Sequence, residues 1–144
     1  LRLAKFRAAV KRTFEYPDDP DGAKVTIRLL SEGEKMEIAD QATKYELEAD
    51  GVSSRGKATM SASFYTERLL KMVACVDDWE SVFSDDKGKK ALACNEQNKR
   101  QVARHVKGFL NWVMEKYDEL EEEHKKAQEI EEKNCESSPD GLSE

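Results

Sequence analysis

KVTIRLLSEGEKMEI, residues 24–38, changes its grammar halfway. Val25, Ile27 and Leu29 alternate with polar neighbours, the period of a half-buried strand. At Ser31 the alternation stops. Ser31 is followed three positions on by Glu34, the spacing of a capping box, in which each residue satisfies a backbone N–H of the other. Glu32 and Glu34 also suit the positive end of a helix. A strand that hands over directly to a helix places both element types in one small unit and predicts an α+β fold.

Upstream, PDDPDGA (Pro17–Ala23) is a turn: prolines fix φ and Gly22 tolerates positive φ. The segment before it, LRLAKFRAAVKRTFEY, fits both periods. Phe6, Ala8, Val10, Phe14 and Tyr16 share one strand parity, while Leu3, Phe6, Val10 and Phe14 also fit helical spacing. Thr13, Phe14 and Tyr16 prefer strands, so a hairpin closing near Tyr16 is expected, with a short helix before it as the alternative.

Downstream, Met36, Ala39, Thr43 and Leu47 form one helical stripe, with Ile38, Ala42 and Tyr45 beside it; Gly51 ends the helix and Gly51–Lys57 reads as a loop. The most apolar helix follows, on Tyr65, Leu69, Met72, Val76 and Trp79, widened by Leu70 and Val73. Asn95 can cap another helix whose buried face is Val102, Val106, Phe109, Val113, Tyr117 and Leu120, with Leu110 and Met114 alongside. Beyond Leu120 apolar residues thin to Ala127 and Ile130. The expected architecture is an N-terminal β-hairpin packed on a mostly helical body. One domain covers 1–122, and a charged helical extension with a disordered tail covers 123–144.

The chain has 144 residues, 38% charged, with a formal net charge of −6. That balance lacks the footprint of a phosphate-backbone binder and favours protein partners. The basic run of Arg2, Lys5, Arg7, Lys11 and Arg12 supports the alternative, a nucleic-acid-associated regulator, and also suits an edge strand. No apolar run approaches a membrane span, and the amino end lacks a signal-peptide core, so a cytoplasmic location is expected. Cys75, Cys94 and Cys135 have no CxxC spacing and read as free thiols, Cys75 in the core.

Spacing speaks against metal and catalytic chemistry. An EF-hand frame on Gly22 puts Pro17 first and Arg28 twelfth; a frame on Gly88 puts Phe83 first and Cys94 twelfth, and both fail at the outer ligands. His105 and His124 pair with no cysteine at ligand spacing. P-loop, GxGxxG and GxSxG motifs are absent from the sequence, and Asp77 and Asp78 read as exposed helix-end acids. The expectation is a non-enzyme with no metal and no cofactor.

Two passages, in order, carry a resemblance. VTIRLLSEGEKMEI, with Val25, Ile27, Arg28, Leu30, Ser31, Gly33, Glu34 and Lys35, is similar to a strand–arginine–Ser/Thr–Gly-Glu passage of long-tailed bacteriophage tail assembly chaperones. LLKMVACVDDWESVFSDDKGKKALACNEQNKRQV resembles their apolar helix, Val-x-Asp-Trp, acidic Gly turn, small apolar patch and Asn-opened helix. The likeness covers roughly Phe14 to Leu120. It departs at Cys94, where the resemblance implies a phenylalanine or a similar residue, and in the charged segment after Leu120. The resemblance implies a non-enzymatic protein in the host cytoplasm that holds tail components, the tape-measure and tail tube proteins. It further implies assembly into rings or spirals and, in some members, a longer frameshifted form. Structural or partner-binding roles are expected for Arg28 and Glu34 at the strand–helix junction, and for Trp79 and Phe83 anchoring the acidic turn.

Overall fold

The computed structural model describes residues 1–4, 9–49 and 56–136. Strand β1 (Lys11–Glu15) and β2 (Lys24–Arg28) form the hairpin; helix α1 (Glu32–Ala49) and α2 (Gly56–Cys75) follow. Then come β3 (Val76–Glu80), α3 (Glu96–His105) and α4 (Phe109–Glu136). The sheet is antiparallel in the order β1-β2-β3, so the expected hairpin gains a third strand. The architecture is α+β.

The hairpin loop is closed from both sides. Tyr16 N donates to Ala23 O at 2.8 Å, and Ala23 N donates to the Asp19 carboxylate at 2.8 Å. Gly22 takes φ +66°, the conformation that glycine adopts without a Cβ penalty. One face of the sheet is apolar: Phe14, Val25 and Trp79 lie side by side across the strands, with Ile27 beside Val76. Val25 and Ile27, on the central strand, are fully buried, each contributing about 1.5–3 kcal/mol relative to exposure. The other face is polar, with Thr13 and Thr26 hydroxyls 2.7 Å apart.

The third strand corrects the helix expected to run through Trp79. Val76 and Trp79 do fall on one buried face at a three-residue step, but in a strand. The pairing slips between Thr26 and Ile27, so Thr26 faces Asp78 while Ile27 faces Val76, and Asp77 is the extra residue of a β-bulge. A bulge turns both flanking apolar residues inward and reproduces helical spacing within a strand. The freed Asp77 pairs with Lys11 at 3.0 Å.

Two further stripes differ from expectation. On α1, Ile38 and Ala42 are buried, whereas Met36 is 71% exposed and Ala39 and Thr43 are solvent-facing. The helix rotation is set at its start, where Glu34 and Lys35 turn toward partners on β2 and α4. The single helix expected after Asn95 is two. Asn95 caps α3 as anticipated, accepting from Asn98 N at 2.8 Å, but the chain breaks at Gly108, φ +83°, before α4. Val106, expected in the core, is left 40% exposed. Trp112, outside the expected face, is buried and meets Tyr16 edge-on at 5.0 Å. From Phe109 the helix continues unbroken through Leu120 to Glu136, so Asn134–Glu136 of the expected tail are helical. Residues 137–144, Lys5–Ala8 and most of the loop expected over Gly51–Lys57 lie outside the described residues, and Gly56 already belongs to α2.

Sheet and helices share one core, in which Met72 and Cys75 of α2 meet Val113, Tyr117 and Leu120 of α4. The Tyr117 hydroxyl makes a polar contact within it, accepting from Leu30 N at 3.2 Å.

Candidate functional site

Arg28 and Glu34 are brought together as expected. Arg28 donates from both terminal nitrogens to both carboxylate oxygens, at 3.0 and 2.7 Å. The capping box closes in both directions: Glu34 N donates to Ser31 Oγ at 3.2 Å, and Ser31 N donates to Glu34 Oε1 at 3.0 Å. The Arg28 hydrogen bonds, aided by the Ser31 amide, hold the Glu34 carboxyl down at about 2 against a burial penalty. A carboxylate held that low has no proton to give near neutral pH. The junction therefore locks β2 to α1, and Lys35 to Glu121 at 2.8 Å ties α1 to α4 beside it. A cleft of about 550 Å³ opens here, but its main charges are already spent on one another.

Trp79 also works as a tie. Its indole N–H donates to Leu92 O at 2.7 Å, and Leu92 N donates to Val82 O at 2.8 Å, which closes the acidic loop. Phe83 stands half-buried at the loop's bridge to Ala91. Asp85 accepts from Lys89 N and Lys90 N at 3.0 and 2.8 Å. The Lys90 and then the Lys89 amide keep its carboxyl below the ordinary range. Of the acids in this stretch, Asp85 is thus a turn former, Asp77 a sheet tie, and Asp78 accepts from Trp79 N at 2.9 Å. Arg28 and Glu34 line the cleft at the junction, and Trp79 and Phe83, at another loop, are not in its lining. Among the described residues no group of three or more His, Cys, Asp and Glu side chains is placed to hold a metal. No helix among them is long and apolar enough to cross a membrane.

The surface that the sequence reading missed lies between α2, α3 and α4. An open groove of about 560 Å³ has Phe64, Tyr65, Val106 and Leu110 in its lining. Phe64 is 62% and Tyr65 50% exposed, although Tyr65 was expected on the buried stripe. The rim is cationic, with Arg68, Arg104 and Lys107, and the lining contains no Asp or Glu among the described residues. Arg68 is fixed in place: it donates to Asn111 Oδ1 at 2.7 Å and lies 5.2 Å from the Phe64 ring centroid. Arg104 sits in the last turn of α3, where a cation also complements the helix C-terminus. The adjacent aromatics at 64 and 65 were the available signal, since neighbours on a helix point about 100° apart and one narrow stripe does not bury both. Gly108 was the other, because a break there carries Val106 off the core face.

Comparison with known proteins adds no relative: no family model, curated protein or solved structure matches the chain.

Proposed function

We propose that the chain is a non-enzymatic tail assembly chaperone of a long-tailed bacteriophage or prophage, acting by reversible binding of tail components in the host cytoplasm. The observation that carries the reading is the groove between α2, α3 and α4, which gathers three exposed apolar side chains, Phe64, Tyr65 and Val106, in one lining beside cations. Such a groove suits a helix-in-groove contact with an apolar partner segment. The order of the two passages resembling the chaperone family supports the same reading, and the net charge of −6 helps keep a loaded complex in solution. Assembly into rings or spirals belongs to the same proposal.

The alternative, a nucleic-acid-associated regulator using the basic amino-terminal run, is weakened at two of its cations. Lys11 pairs with Asp77 and Arg12 with Glu123. A salt-dependent mobility shift with DNA would favour it.

The test is co-expression with the tape-measure and tail tube proteins of the encoding genome. The reading predicts that a tail protein insoluble alone becomes soluble and co-purifies with this chain. Tail proteins that stay insoluble, or purify without it, would overturn the proposal.

A further inference from the structure

We infer that the groove between α2, α3 and α4 takes an amphipathic helix whose apolar stripe is flanked by carboxylates. The inference rests on the docking role proposed above and names the chemistry of what docks. Its lining offers Phe64, Tyr65, Val106 and Leu110 to an apolar stripe, in a volume of about 560 Å³. Its rim offers Arg68, Arg104 and Lys107, and no carboxylate among the described residues lines it. On a chain of net charge −6, a groove with cations and no lining acid is a local inversion of the overall charge. No ion pair neutralises Arg68, Arg104 or Lys107 among the described residues, whereas Arg28, Lys35 and Arg100 each have a carboxylate partner. Arg68 also hydrogen-bonds Asn111 and lies against the Phe64 ring, contacts that restrict its rotamers before a carboxylate arrives. Cations interleaved with apolar side chains in one lining select acids beside an apolar stripe and reject lysines there. Exposed aromatics beside arginines also suit a stacked single-stranded nucleic acid. The aliphatic Val106 and Leu110 and the acidic chain as a whole favour the peptide.

The test uses the full chain and two synthetic amphipathic helices with the same leucine stripe, one flanked by glutamates and one by lysines. Binding is read by fluorescence anisotropy at low salt, with a mixed-sequence single-stranded oligonucleotide as a third probe. The glutamate helix should bind at least about 10-fold more tightly than the lysine helix. A chain carrying Arg104→Glu and Lys107→Glu, both exposed positions, should reverse that order. Phe64→Ser should weaken both helices. Equal affinities, a preference for the lysine helix, an order unchanged in the charge-reversed chain, tighter oligonucleotide binding, or no binding would each overturn the inference. Tape-measure capture that survives Arg104→Glu with Lys107→Glu removes this inference and leaves the chaperone reading. Failure of capture by the native chain with the peptide preference intact does the reverse.

Discussion

Replacing Glu34 with Gln probes the junction at which strand becomes helix. Gln preserves the length of the side chain and its acceptor for Ser31 N, but loses the charge that Arg28 grips with two hydrogen bonds. The carboxyl is lowered from 4.5 to about 2 in the fold. At about 1.4 kcal/mol per pH unit, the ceiling on the charge contribution is about 3–4 kcal/mol. Glu34 is 35% and Arg28 25% exposed, so water screens the pair, and a loss of about 1–1.5 kcal/mol is expected. The sign follows from the depressed value: the contribution is present above the unfolded carboxyl's 4.5 and is lost as pH falls towards about 2. Urea denaturation of both proteins should show the full difference at pH 7 and a shrinking one between pH 4.5 and about 2. The same difference at pH 7 and pH 2.5, or none at pH 7, would refute the reasoning.

Other outcomes follow from single contacts. Gly108→Ala forces a Cβ onto φ +83° and should cost about 1–2 kcal/mol, although nothing crowds the new atom; Gly33→Ala, also uncrowded and without positive φ, should stabilise by about 0.5 kcal/mol, and thermal melts of the two variants should move in opposite directions. Trp79→Phe leaves the Leu92 carbonyl without its 2.7 Å donor and should cost about 1–3 kcal/mol, with faster hydrogen exchange across Val82–Leu92. The Cys75 thiol, pushed up to about 12 chiefly by burial, should resist alkylation at pH 8 until the chain unfolds, as peptide mass spectrometry would show.

The junction was legible because its information is local: Ser31 and Glu34 are three residues apart, and Arg28 closes the strand that leads to them. The hairpin was legible for the same reason, from alternation and the turn chemistry of Pro17–Ala23. What escaped depends on non-local facts. A bulge at Asp77 makes Val76 and Trp79 look helical, and only the partner strand reveals that Asp77 is supernumerary. The face that α1 buries is set by where Arg28 and Glu121 hold its first turn, so Met36 was misplaced although the helix itself was not. The groove escaped most completely. Apolar residues at helical spacing signal burial, and the sequence does not say whether a third helix arrives to provide it. At Phe64, Tyr65 and Val106 the break at Gly108 turns that helix aside.

Docking of a tail component in this groove is a proposal that leaves a footprint on the backbone amides. Hydrogen exchange of the chain with and without the tape-measure protein tests it most directly. Slowed exchange is expected around Phe64–Leu69 and across Ala103–Asn111, with the amides of β1, β2 and β3 unchanged. Protection confined to the strands, or none at the groove in a complex that demonstrably forms, would contradict it.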